Sequence, residues 1–214
     1  MNSILNVKLL GQPAFLIDGS ELPCVSKKAL WLAAYVLLGN TVQPRAKLAG
    51  LFWGGTHGSH ALGSLRVALT KLPPQVLACL DVQRDRIGVA ADARYRIDVD
   101  EFLADCDAPD LERLQSAVAR YEGDFFEGVD AAEAPEFSDW LFGERNRLRQ
   151  LAHDAHVSLA QALRAQGQRD AARSVADAWL KRQPADEAMH RLLMTWLAED
   201  SGNDRALAQF DVYR

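Results

Sequence analysis

Residues 59–74 read Ser-His-Ala-Leu-Gly-Ser-Leu-Arg-Val-Ala-Leu-Thr-Lys-Leu-Pro-Pro. Ser59 is a good helix cap, and the two prolines forbid continuation past Leu72. Between them Leu62, Leu65, Leu69 and Leu72 recur at spacings of three, four and three, which predicts one apolar stripe on a helix. With that stripe turned inward, the opposite arc carries His60, Gly63, Ser64, Val67 and Lys71, with Arg66 and Thr70 on its flanks. Immediately upstream, Gly54-Gly55-Thr56-His57-Gly58 cannot extend a helix, and Pro44 starts a short one over residues 45–52.

Working outward, Ser26 caps a helix through Leu38, with Ala29, Leu30, Ala33, Val36 and Leu37 spaced for burial and Gly39-Asn40 as the stop. Residues 4–10 and 14–17 are apolar runs separated by Gly11-Gln12-Pro13 and followed by Asp18-Gly19, the pattern of a small β-meander. Beyond the prolines, residues 76–82 and 86–90 flank Gln83-Arg84-Asp85 as strand, tight turn and strand, and residues 95–99 add a third strand. Helix, short helix, helix and β-hairpin is the order of a winged helix.

From Glu101 onward strand signals vanish and amphipathic helices follow, broken at residues 108–109, 128–135, 166–168, 183–184 and 201–203. A repeat of thirty-four residues runs through this half. Leu159 maps to Leu193, Leu163 to Leu197, Ala172 to Ala206 and Ala176 to Phe210, with Gly167 displaced by one from Gly202. That is the period of tetratricopeptide units, which stack because none buries its faces singly. Helices over residues 110–127 and 136–158 are expected to cap or extend the stack. Arg214 falls inside the last helix of a unit, so the natural chain is expected to run on.

The chain has 214 residues, 49% hydrophobic and 25% charged, enough for one large or two small folded domains. Its longest apolar run, residues 29–38, is too short to span a bilayer, and the N-terminus lacks a basic region followed by a long apolar stretch. Cys24, Cys79 and Cys106 are odd in number and form no Cys-x-x-Cys pair, which argues against a disulfide framework and fits a reducing cytoplasm. The net charge of −5 is divided unevenly. Residues 1–100 carry eleven Lys/Arg and seven Asp/Glu, so +4; residues 101–214 carry thirteen and twenty-two, so −9. Between Glu21 and Asp81 there is no acidic residue, while Lys27, Lys28, Arg45, Lys47, Arg66 and Lys71 supply six positive charges. Such a surface can approach a polyanion, because each cation that neutralises a phosphate releases counterions. The plainer reading is a solvated basic face without a partner.

Several segments together resemble bacterial transcriptional activators of the SARP type. In the first half they are Lys47-Leu-Ala-Gly-Leu-Phe-Trp53, Ala61-Leu-Gly-Ser-Leu-Arg-Val-Ala-Leu-Thr-Lys-Leu72 and Asp98-Val-Asp-Glu-Phe102. In the second they are Tyr121-Glu-Gly-Asp-Phe125, Phe137-Ser-Asp-Trp-Leu141, Glu144-Arg-Asn-Arg-Leu148 and residues 167–184. The resemblance implies an α+β winged helix-turn-helix of the OmpR type with meander and wing over residues 1–100. It implies an all-α, tetratricopeptide-like bacterial transcriptional activator domain over residues 101–214. It further implies that residues 44–52 form the supporting helix, that residues 59–72 form the recognition helix in the major groove, and that the hairpin near Arg84 meets the DNA backbone or minor groove. The implied partners are double-stranded DNA bound head-to-tail at promoter direct repeats, RNA polymerase, further copies of the chain on DNA, and downstream domains of a longer chain, with no membrane. The family usually places polar residues where this chain has Gly63 and Val67. Its wing is also shorter and less acidic than one holding Asp81, Asp85 and Asp92.

The expected DNA-binding set is Lys27, Lys28, Arg45, Lys47, His60, Ser64, Arg66, Val67, Thr70, Lys71, Arg84 and Arg86. Lys27, Lys28, Arg45 and Lys47 sit near helix starts, where backbone N–H groups also meet phosphate. Arg66 and Lys71 can reach guanine or phosphate; otherwise Arg66 forms an internal salt bridge and Lys71 is merely solvated. His57 with His60 and His153 with His156 are each three apart but lack a third ligand, so no metal is expected. The glycine-rich connector lacks the Gly-Lys-Ser/Thr ending of a phosphate-binding loop, and no nucleophile-base set stands out, so neither cofactor nor catalysis is expected. Glu122 and Asp124 beside Gly123 are read as ending or turning a helix. Trp140, Trp179 and Trp196 are read as core between stacked helices, and Trp31 and Trp53 as bracing the winged helix or its seam with the second half. The rival function is a tetratricopeptide-like adaptor that has lost DNA binding, or a regulatory segment of a larger ATPase or cyclase.

Overall fold

β1 (Leu5–Lys8) and β2 (Ala14–Ile17) pair antiparallel, Leu5 opposite Ile17 and Val7 opposite Phe15, and β3 (Ser20–Glu21) continues the meander. The computed structural model that shows this describes residues 4–55, 58–107 and 110–201. α1 (Lys27–Gly39) begins where the Ser26 hydroxyl accepts the Ala29 N–H, and it stops at Asn40, whose left-handed backbone returns its N–H to the Val36 carbonyl. Then follow β4 (Gln43–Pro44), α2 (Arg45–Trp53), α3 (Gly58–Thr70), the single turn α4 (Pro74–Leu77), β5 (Leu80–Val82), β6 (Arg86–Val89) and β7 (Tyr95–Ile97).

Residues 76–82 are not one strand. Pro74 fixes a helical φ at the first position of α4, and the Val76 and Leu77 N–H groups both donate to the Pro73 carbonyl, so only residues 80–82 remain extended. The expected third strand also joins a different sheet. β7 pairs parallel with β1, Leu5 beside Tyr95, giving the order β3-β2-β1-β7, whereas the wing sheet is β4-β6-β5. Pro44, lacking an N–H, suits β4's position at a sheet edge.

α5 (Asp98–Asp107) starts at a carboxylate that accepts the N–H groups of Leu9, Leu10 and Val99 at 2.8–2.9 Å, tying the end of β1 to the helix. α6 (Leu111–Arg120) is shorter than the expected 110–127, because residues 124–127 turn back along the chain's beginning. There Phe126 N–H donates to Leu9, Gly11 to Asp124 and Glu127 to Gly11. α7 (Pro135–Ala165) outruns the expected 136–158, and α8 (Arg169–Arg182) and α9 (Glu187–Ser201) follow.

The chain divides into two compact units: residues 1–104 with 120–149, and residues 105–119 with 150–214. In the first unit Leu9, Phe15, Leu32, Phe52, Phe102, Tyr121, Phe126 and Phe137 are buried. Trp140 belongs here rather than between tetratricopeptide-like helices: its ring lies 4.9 Å from Tyr35 and 5.4 Å from Phe137, which in turn stacks on Trp31. In the second unit the repeat positions Leu159, Leu163, Ala172, Ala176, Leu193 and Leu197 are all buried, as are Trp179 and Trp196. Gly167, at φ +78°, lets Gln168 N–H reach back to the Leu163 carbonyl and close α7. The repeat partners Gly202, Ala206 and Phe210, with Arg214, lie outside the described residues.

Candidate nucleic-acid interface

α3 turns Ala61, Leu65, Ala68 and Leu69 inward against α2 and α1, and Leu72, just past its end, is buried as well. Leu62, expected in that stripe, is instead 42% exposed. The small side chains of Ala61 and Ala68 centre the buried face one position away from it and allow the neighbouring helices to approach. On the outer side His60, Gly63, Arg66, Val67, Thr70 and Lys71 are exposed and Ser64 is half-buried, the arc expected from the periodicity.

Pairing of β4 with β6 sets Pro44 opposite Arg86, so the first residue of α2 stands beside the wing turn. Arg45 fastens the two: its backbone N–H donates to the Asp85 carbonyl at 2.9 Å and its guanidinium to the Gln83 carbonyl at 3.2 Å. Arg45 therefore orients the wing. Arg84 and Arg86 are exposed on that wing, and Lys47 is exposed one turn into α2. Asp81, half-buried, accepts a hydrogen bond from the Gln83 amide.

Lys27 and Lys28, adjacent in sequence, separate in role. Lys27 is exposed. Lys28 is largely covered; its ammonium donates to the Phe52 carbonyl at 2.9 Å and the Glu133 carbonyl at 3.4 Å, stands 3.8 Å from the Glu133 carboxylate and lies 5.6 Å from the Trp53 ring centre. Those contacts make it a fastener of the end of α2. Sequence reasoning missed Glu133 and Trp53 as its partners, and no local signal marks a pair 105 positions apart.

A cleft of about 760 Å³ opens among these elements, lined by Lys27, His60, Ser64, Val67, Lys71 and Glu133 among others. Among the described residues that line it, Glu133 is the one carboxylate. Among the described residues Lys27, Lys47, Arg66, Lys71, Arg84 and Arg86 form no ion pair, so the internal salt bridge considered for Arg66 is not made there. Unpaired cations around an outward helix face can meet phosphates without first giving up an internal partner.

The remaining sequence candidates have structural surroundings. His156 is buried with Nδ1 2.7 Å from the Ala152 carbonyl and its ring against Trp179, and burial holds its pKa below the ordinary imidazole value. His153 stands between Asp154 and Asp186. Among the described residues no three His, Cys, Asp or Glu side chains converge as metal ligands, and His57 lies outside them. Burial, with Asp105, Asp107 and Asp154 nearby, pushes the Cys106 thiol up to about 11, far from the reactive thiolate range. Asp124 turns the chain after α6, accepting from the Tyr121 hydroxyl at 2.8 Å and from the Arg149 guanidinium. No described helix is long and apolar enough to cross a membrane.

Residues 100–214 match the family described as the bacterial transcriptional activator domain. No curated protein matches the chain. Among solved structures, Mycobacterium tuberculosis EmbR in complex with low affinity phosphopeptide is similar, with a TM-score of 0.63 and 19% identity over 99% of this chain and 69% of that one. At that identity the likeness concerns the fold.

Proposed function

The chain belongs to the bacterial transcriptional activator domain family, and from that premise we propose that it is a sequence-specific, DNA-binding activator of transcription. Residues 1–100 bind the duplex and residues 101–214 make protein contacts. α3 enters the major groove, α2 supports it, and the wing meets the backbone. Copies bind head-to-tail on promoter direct repeats and recruit RNA polymerase in the cytoplasm. No catalytic step is assigned to these residues. The observation that carries this reading is the set of exposed cations, Lys27, Lys47, Arg66, Lys71, Arg84 and Arg86, which form no ion pair among the described residues, with Lys27 and Lys71 lining one cleft with the outward side of α3.

The test is selection of a duplex from random DNA, followed by a binding titration against salt. With about six phosphates neutralised, log Kd changes with log salt at a slope near five, and affinity falls about a thousandfold between 50 and 200 mM salt. Absence of a salt-dependent complex overturns the proposal. A protein-docking role for the same face is favoured by the exposed apolar side chains of Leu62 and Val67, and it predicts no such slope.

A further inference from the structure

Gly63, Val67 and Thr70 lie along the crest of α3, directly opposite its buried stripe. None of the three offers a side-chain hydrogen-bond donor to the outside. Gly63 has no side chain; Val67 is 52% exposed and presents two methyls. The Thr70 hydroxyl donates back along the helix to the Val67 carbonyl at 2.8 Å, so its one proton is already taken. Cations flank this crest, Arg66 on one side and Lys71 on the other, both exposed.

The glycine needs explaining. Mid-helix glycine weakens a helix relative to alanine, and here the fold asks for no such sacrifice. Among the described residues a Cβ on Gly63 would meet no atom within 4 Å, and the backbone there is not left-handed. No contact among the described residues therefore accounts for the glycine. In a major groove a bare helix crest lets the backbone approach the base edges, and the apolar feature those edges present is the 5-methyl of thymine.

We infer that α3 reads A·T pairs through thymine methyls, with Val67 making the apolar contact, Gly63 giving the clearance, and Arg66 and Lys71 holding phosphates to either side. The inference rests on the DNA-binding reading of this helix. It makes the crest a reader of the one major-groove feature that is recognised by neither a donor nor an acceptor.

The experiment uses the 214-residue chain and its selected duplex, with each thymine replaced in turn by deoxyuridine, which keeps the pairing and removes the methyl. Wild type is expected to lose about fourfold in affinity at one or two positions per half-site, the worth of one buried carbon. Val67→Ala is expected to bind more weakly at the outset and to be insensitive to uracil at those same positions. Gly63→Ala is expected to melt at a higher temperature yet bind more weakly. Steep salt dependence with wild-type affinity indifferent to every uracil, or with Val67→Ala responding as wild type does, overturns the inference and leaves DNA binding standing. Unchanged affinity in Gly63→Ala overturns the clearance role. No salt-dependent binding to any selected duplex overturns both readings.

Discussion

Lys27 and Lys28 are indistinguishable by residue type, yet one faces solvent and the other is held by two carbonyls, a carboxylate and an indole. Their variants should separate accordingly. Lys28→Ala leaves the Phe52 and Glu133 carbonyls without their cation, so thermal or urea unfolding should show a loss of about 1–2 kcal/mol, while the salt slope of DNA binding stays unchanged. Lys71→Ala and Arg66→Ala should do the reverse. Each lowers the magnitude of the salt slope by about one, and each alters stability by less than about 0.5 kcal/mol. Charge patterning indicated that this stretch is cationic; which cations remain available depends on carbonyls and carboxylates distant in the chain.

Among the elements, the segment after α6 follows one sequence reading, the turn at Glu122 and Asp124 beside Gly123, and departs from the other, a helix over residues 110–127. Apolar periodicity carries a helix toward residue 127, but Tyr121 is buried and bonded to Asp124, and Arg145 donates to the carbonyls of Phe125, Phe126 and Val129. Those bonds satisfy a turn that no helix could form. Burial alone would raise the Asp124 pKa; hydrogen bonds from Arg149 and Tyr121 outweigh it and hold the carboxyl below its ordinary value. A carboxyl depressed in the folded state stabilises the protein above its unfolded-state pKa of about 3.9 and loses that contribution as pH falls through the lower folded value. Asp124→Asn should thus cost about 1 kcal/mol at neutral pH. The gap from wild type should close in strong acid, as urea titrations at a series of pH values would show. A gap constant with pH would remove the ion pair as its cause.

At the scale of the whole molecule, the family match begins at residue 100 while the first packing unit also takes in residues 120–149. The aromatic side chains explain why. Phe137 is fully buried, stacked on Trp31 at 5.4 Å and 4.7 Å from Phe52, so a residue of the helical half completes the core beneath α1 and α2. Phe137→Ala should cost about 3–5 kcal/mol, read as a lower melting temperature and a weakened near-ultraviolet dichroism of the tryptophans. A melting temperature within a degree of wild type would contradict this account of the core.

The amino-acid sequence by itself determined what is local. The Ser26 cap and the Asn40 stop of α1, the outward arc of α3 and the wing turn each depend on neighbours within one or two turns of chain, and the thirty-four-residue period is written along the sequence itself. Tertiary structure alone decided that β7 pairs with β1, that β4 completes the wing sheet, that Leu62 faces outward, and that Lys28 and Phe137 bind the first unit together. Each of these depends on a partner remote in sequence, and a remote pairing is favourable only once both surfaces have been brought together and desolvated. No periodicity written along a single segment carries that information.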